Sequence, residues 1–252
     1  MKGIRGQKVA VWGAARSGIA AANLLHELGA DVVLSDLRSL ADLQLEKLHP
    51  NVRIHGGGNV WGDCEVLIPS PGIPPHHPTL RRALAEGVEL KSEVELAASV
   101  CPADMIAITG TDGKTTTTEM TAAALNAAGC RAEVGGNIGI PLSEKAMTLS
   151  KGDFLVAEVS AFQLWSCGIF SPRIAVVTNI AHDHTEYFGG DHQAYIAAKA
   201  RLLRDMGRGQ SAILRSDDAI VSNFPRSPDL DVIWFGAAEN KSGWGLNGTG
   251  IT

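Results

Sequence analysis

The sequence predicts an α/β fold made of two successive parallel-sheet domains. Three observations carry this prediction. Short runs rich in Val, Ile and Leu alternate with helical patterns, which is how crossover-connected parallel strands read. The alternation pauses around residues 91–103 and restarts near 104, so the domains are read as 1–91 and 92–252. Glycine is also abundant, at 28 of 252 residues, and gathers in the turns that follow strands. Those turns are where open α/β sheets keep their ligand loops.

Taken in order, residues 8–12 (Lys-Val-Ala-Val-Trp) form a short apolar strand. Gly13 to Gly18 is a small-residue turn, and 19–28 a helix stopped by Gly29. Strands are expected at 31–35, 52–55, 65–68 and 88–90, with helices at about 39–48 and 77–86. A short helix over 92–100 leads into Cys101-Pro102. The second domain opens with a strand at 105–109, a Gly/Thr loop and a helix over 116–128. Further strands are expected at 131–134, 153–157, 174–178, 211–214 and 231–235, with an amphipathic helix over 191–205. Residues 240–250 are turn-rich and bring no closing element, so the central domain is expected to be incomplete.

Composition narrows the function classes. Apolar residues make up 45% and charged residues 19%, a globular balance. The net charge of −5 gives a nucleic-acid partner no basic surface to bind. No apolar run approaches the roughly 18 residues of a membrane span. Cys64, Cys101, Cys130 and Cys167 lack the close pairing of zinc or redox sites. The expectation is a cytoplasmic protein with reduced thiols and no membrane or nucleic-acid partner.

The strongest chemical signal is Gly110-Thr111-Asp112-Gly113-Lys114-Thr115-Thr116, which follows a strand and opens a helix. Glycines let backbone N–H groups face an anion, and the helix N-terminus adds partial positive charge. Lys114 can reach the β/γ-phosphates and Thr115 can bind Mg²⁺. The strict phosphate-loop pattern wants Gly at 108, where this chain has Ile108. Residues 13–18 (Gly-Ala-Ala-Arg-Ser-Gly) form a weaker fingerprint, because Ala15 stands where a dinucleotide loop has Gly. Asp36, at the end of the next strand, is placed to meet a ribose or base. Ser70-Pro71-Gly72-Ile73 and Gly135-Gly136-Asn137-Ile138-Gly139 also follow strands; taken alone, the first reads equally well as a rigid turn and the second better as one. Glu158, at another strand end, could hold a cation near the phosphate loop. Asn179 to Glu186 sets two histidines, His182 and His184, and two acids at a strand exit. Lys199 reads on its own as a solvated helix lysine.

Together these segments resemble the Mur ligases of peptidoglycan synthesis. The resemblance lies in the order Gly-Thr-Asp-Gly-Lys-Thr-Thr, Gly-Gly-Asn-Ile-Gly, Glu-Val-Ser-Ala-Phe-Gln-Leu, Asn-x-x-x-Asp-His and Tyr-x-x-Ala-Lys, within a span of about 5–236. It implies a Rossmann-like substrate domain followed by a P-loop-type mononucleotide-binding domain. The N-terminal loop, Ser-Pro-Gly-Ile and Phe-Gln-Leu favour the member that adds D-glutamate to UDP-N-acetylmuramoyl-L-alanine. The phosphate loop is shared across the family and with folylpolyglutamate synthetase. Departures are Asp112 for the usual Asn, Thr115 for Ser, Ala161 for a second Ser, and Glu186 for Asp.

The resemblance implies ATP-driven amide formation through an acyl phosphate, with ATP on residues 110–116. It implies two Mg²⁺ ions, one held by Thr115 and Glu158, the other by His184 and a carbamylated Lys199. Lys114, Glu158, His184 and Lys199 are then the catalytic set. The UDP part is implied to lie against Arg16, Ser17 and Gly18, with Asp36 and Arg38 near uracil. Gly72 and Asn137 would face the sugar-peptide side. The implied protein is a monomer, and the chain is expected to be an inactive N-terminal fragment lacking the domain that binds D-glutamate. Competing readings are a sister ligase, a folylpolyglutamate synthetase-like ligase, a non-catalytic nucleotide-binding module, and, from the first loop alone, an NAD oxidoreductase.

Overall fold

The computed structural model describes residues 4–183 and 185–236, with the backbone alone at 243–244, 246–247 and 250–251. Two parallel sheets follow one another along the chain. The first has five strands, β1 (Lys8–Trp12), β2 (Asp31–Asp36), β3 (Arg53–Gly56), β4 (Val66–Pro69) and β5 (Glu89–Leu90), in the order β3-β2-β1-β4-β5. In β1, Val9 and Val11 face one apolar cluster and Ala10 and Trp12 the other. That alternation explains why the strand is apolar throughout: both faces are covered. Helix α1 (Arg16–Glu27) fills one side with Ile19, Ala22 and Leu25. Helix α2 (Pro78–Ala85) fills the other with Leu80 and Ala83.

Helix α3 (Glu93–Val100) links the two sheets. Ser92 caps it, accepting the Glu95 amide on its hydroxyl at 3.1 Å. Val94 and Ala97 enter the second core while Leu96 enters the first. The second sheet runs β12-β11-β10-β9-β6-β8-β7. Its strands are β6 (Asp104–Thr109), β7 (Ala132–Gly136), β8 (Phe154–Glu158), β9 (Ile174–Val177), β10 (Ser211–Arg215), β11 (Asp231–Phe235) and β12 (Gly243–Trp244). Helix α4 (Lys114–Ala127) covers the face carrying Ile106 and Ile108. Helices α5 (Leu142–Ala146), α6 (Ala161–Leu164) and α7 (His192–Arg204) contribute to the core on the face of Met105 and Ala107.

Strand order sets where ligands can sit. Strands β2 and β4 flank β1, and β8 and β9 flank β6, so the chain leaves β1 and β6 in opposite directions at these points. A crevice opens beyond the carboxyl ends of the strands at each such switch point. The loops at 13–15 and 110–113 occupy those two positions.

Most elements lie where the sequence puts them. The expected helix at 39–48 does not form. Only a single 3-10 turn, Leu40–Asp42, is present. Leu43, Leu45 and Leu48 pack singly against the first core, a spacing that no helical face supplies, and His49 precedes Pro50, which disfavours helical backbone. Helix α1 starts at Arg16, so Ser17 and Gly18 belong to its first turn and not to the loop. The short helices α5 and α6 carry too few residues to show a period. The 240–250 tract, expected to be turns, lies partly outside the described residues, and Gly243–Trp244 adds an edge strand to β11.

Candidate functional site

The central loop is built by its glycines. Gly110 has φ +152° and Gly113 φ +77°. A Cβ on Gly110 would overlap the Thr178 hydroxyl, so only glycine lets β6 turn under β9. The loop is latched from the β9 side. Asn179 accepts the Asp112 amide at 3.0 Å and donates to the Asp112 carbonyl at 3.0 Å. Thr178 donates to the same carbonyl at 2.6 Å, and the Thr111 amide donates to the Asn179 carbonyl at 2.9 Å. Thr111 and Tyr195 share a hydroxyl–hydroxyl bond of 2.9 Å.

Expected site residues converge on this loop. Glu158 is 1% exposed, at the end of β8. One carboxylate oxygen accepts the Thr115 hydroxyl at 2.7 Å and the other accepts the Asn137 amide at 2.8 Å. Lys199 is 2% exposed and donates to the Gly110 carbonyl at 2.6 Å, with its ammonium 4.9 Å from the Tyr195 ring centre. Burial, and then the charge of Lys114, bring the Lys199 pKa down to about 7. The helical-surface reading of Lys199 is thus replaced by a buried amine whose pKa is lowered. Lys114 donates to the Thr111 carbonyl at 2.6 Å, folded back on its own loop. Thr116 follows in the first turn of α4. His184 lies outside the described residues. Among the described residues no group of three or more His, Cys, Asp or Glu side chains could hold a metal.

The first loop is also organised from within. Asp36 accepts the Ala14 amide at 2.7 Å, the Arg38 amide at 2.9 Å, and the Arg38 guanidinium at 2.9 and 2.8 Å. The Arg38 guanidinium beside it holds the carboxyl well below the usual carboxylate range. The acid's acceptor positions are therefore filled, and it orients Arg38 and the 13–15 turn. A Cβ on Gly18 would overlap the Gly13 carbonyl, which is why α1 can begin so close to β1. Ser17 sits beside it in the first turn of the helix. The Gly72 amide donates to Ser70 Oγ at 3.3 Å. Asn137, read from the sequence with the sugar-peptide side, donates its amide to Glu158 and so adjoins the central loop.

The first loop faces the 139–148 segment of the second domain. Arg16 reaches across to the Gly139 carbonyl at 2.7 Å. A cleft of about 1160 Å³ opens beside that contact, between α1, the 38–47 segment and residues 139–148, with Arg38, Asn23, Lys47 and Glu144 on its walls. Sequence reasoning missed Thr178 and Tyr195. Thr178 reads as an ordinary strand residue and Tyr195 as part of an apolar helical stripe. Only the fold brings them to Asp112 and Thr111.

This fold and loop define a class: a two-sheet α/β protein with a phosphate-type glycine loop at the head of its second sheet. Residues 108–249 match the Mur ligase middle domain, and residues 7–92 match the Mur ligase MurD-like N-terminal domain. The chain belongs to the Mur ligase family. It is 40% identical over 220 residues to the UDP-N-acetylmuramoylalanine–D-glutamate ligase of Chlorobium phaeobacteroides, covering 84% of this chain and 47% of that protein. It is 36% identical over 248 residues to the enzyme of the same name from Streptococcus uberis, covering 96% of this chain and 54% of that protein. The chain thus spans about half the length of these relatives. In fold it is similar to a Neisseria ligase, UDP-N-acetylmuramate:L-alanyl-gamma-D-glutamyl-meso-diaminopimelate ligase, with TM-score 0.61, 18% identity, and 98% of this chain and 84% of that one covered. A murein peptide ligase from Psychrobacter arcticus gives TM-score 0.55 and 18% identity, with 95% and 55% covered.

Proposed function

We propose that this chain carries the nucleotide and muramoyl sites of a ligase that joins D-glutamate to UDP-N-acetylmuramoyl-L-alanine at the expense of ATP. The observation that carries the reading is the convergence of Lys114, Thr115, Glu158, Asn137 and Lys199 on one glycine loop. In this reaction the alanine carboxylate attacks the γ-phosphate, ADP leaves, and the acyl phosphate is opened by the amine of D-glutamate with loss of phosphate. An anion attacking a polyphosphate meets charge repulsion, so the site must supply positive charge. Lys114 would exchange its Thr111 carbonyl for phosphate oxygens.

The residues present suit Mg²⁺. Thr115 Oγ1 and Glu158 are hard oxygen donors already joined at 2.7 Å, and Mg²⁺ takes one or two carboxylates plus substrate phosphates. Two bound Mg²⁺ ions would neutralise the phosphates; His184 and Lys199 would hold the second. An ammonium cannot ligate a cation, so Lys199 would serve as its carbamate, formed when the neutral amine adds CO₂ and releases a proton to solvent. In the first domain, 1–91, the backbone at Arg16, Ser17 and Gly18 would face the diphosphate from a helix N-terminus. Arg38, held by Asp36, would lie near uracil, and Gly72 toward the sugar. The central domain, 92–252, would hold ATP. The proposed nucleotide substrate and ATP support a cytoplasmic location.

The test is titration of the chain with a non-hydrolysable ATP analogue and Mg²⁺. Hydrogen bonds to charged groups are worth about 1.5–3 kcal/mol, so Lys114→Met is expected to weaken binding about tenfold or more. Equal affinity in the variant would place the nucleotide elsewhere.

A further inference from the structure

One contact between the two sheets is unlike the others. Tyr187 lies in the 3-10 turn Thr185–Phe188, just beyond the segment that contains His182 and His184. Its hydroxyl donates to the Ile73 carbonyl at 2.6 Å and accepts the Trp165 indole N–H at 2.9 Å. Its ring lies 4.2 Å from that of Phe162. Trp165 packs against both the second core and the Trp12 side of the first. Burial pushes the Tyr187 phenol up, so it stays a neutral donor.

The carbonyl it holds belongs to the Ser70–Ile73 turn, closed by the Ile73 amide on the Ser70 carbonyl at 3.0 Å. That turn is tied on its other side to the first loop. The Ser70 amide donates to the Trp12 carbonyl at 2.7 Å, which anchors the turn directly beside Gly13. A continuous set of contacts therefore runs from the Ser70–Ile73 turn to Tyr187, and on through Phe188 and Tyr195 to Thr111 of the central loop. Tyr187 touches no expected ligand itself.

We propose that Tyr187 is a positioning residue that couples the muramoyl site of the first domain to the nucleotide site of the second, through its paired bonds to Ile73 and Trp165. The inference rests on the ligase reading above. Binding of one ligand fixes its own loop, and the Tyr187 hydroxyl passes that constraint to the other, so each ligand tightens the other equally. Tyr187→Phe keeps the ring on Phe162 and removes only the hydroxyl.

The experiment is calorimetric titration of the 252-residue chain with UDP-N-acetylmuramoyl-L-alanine, with and without saturating ATP analogue and Mg²⁺. In the unaltered chain the analogue is expected to tighten muramoyl-nucleotide binding about fivefold or more. In Tyr187→Phe each ligand alone is expected to bind within about twofold of its original affinity, while the mutual tightening disappears. Trp165→Phe, which removes the indole donor, is expected to reduce the coupling in the same direction, and serves if Tyr187→Phe does not fold. Coupling that survives in the folded variants, or that is missing from the unaltered chain while both ligands bind, overturns the proposal and leaves the ligase reading standing. Failure of the unaltered folded chain to bind either ligand overturns the ligase reading and this inference with it.

Discussion

Lys199 and Lys114 approach the same loop from opposite sides, one bonded to the Gly110 carbonyl and one to that of Thr111. Two ammonium groups so placed raise each other's cost, and the buried one yields first. The folded pKa of Lys199, about 7, lies below its ordinary 10.5. Its contribution to stability is therefore present at high pH and lost as pH falls through about 7, where protonation charges a buried amine. The stability advantage of the native chain over Lys199→Met is expected to shrink as pH falls from about 10 to about 7 and to level off below that, as measured by urea unfolding. CO₂ reacts only with the neutral amine, so carbamate should follow the same midpoint. With ¹³C-bicarbonate, an NMR carbamate signal is expected at pH 8 and should fade below pH 7. It should be absent from Lys199→Met. In Lys114→Met the fade should move to higher pH, since a neighbouring positive charge is gone. A signal that survives in Lys199→Met would assign the carbamate to another lysine.

The glycines that end strands do different work at different junctions, and stability measurements separate them. At Gly18 a methyl would meet the Gly13 backbone, which cannot rotate away, so α1 would have to leave β1. Gly113, at φ +77°, has open space around its Cβ position and is constrained only by its backbone. Gly113→Ala is expected to cost about 1–2 kcal/mol, and Gly18→Ala about 3 kcal/mol or more. Urea midpoints in the reverse order would contradict this account of the α1 junction. The same junctions show what the sequence discloses. Strands β1, β6 and β8 are legible because both faces are buried and their residues are therefore apolar without a break. The helix expected at 39–48 fails because its leucines anchor an irregular segment, and a leucine count does not distinguish the two. Among site residues, Gly110 to Thr116 and Glu158 announce themselves by following a strand. The partnership of Asn137 with Glu158 does not, because it depends on β7 pairing with β8 across 21 residues of chain.

Over the whole molecule, the two sheets are held together by a few elements that belong to both. Helix α3 sends Leu96 to one core and Val94 and Ala97 to the other. Trp165 packs on both, and Arg16 and Tyr187 each bond a carbonyl of the opposite unit. Leu96→Ala, at a fully buried position, is expected to cost about 2–5 kcal/mol, seen as a lowered thermal midpoint. Loss of the α3 contact should also weaken muramoyl-nucleotide binding, because the Gly139 carbonyl that meets Arg16 would no longer be held opposite α1. The cleft beside Arg16 is bordered by Arg38 and by residues 139–148, so its shape depends on both units. An NAD-binding protein would use the first loop alone, and the central loop would have no role in recognition. The most direct test of the ligase reading is calorimetric titration of the folded chain with UDP-N-acetylmuramoyl-L-alanine, with UDP and NAD as controls. The account predicts that the muramoyl nucleotide binds, UDP binds more weakly, and NAD does not bind. Binding of NAD with no response to the muramoyl nucleotide would contradict it.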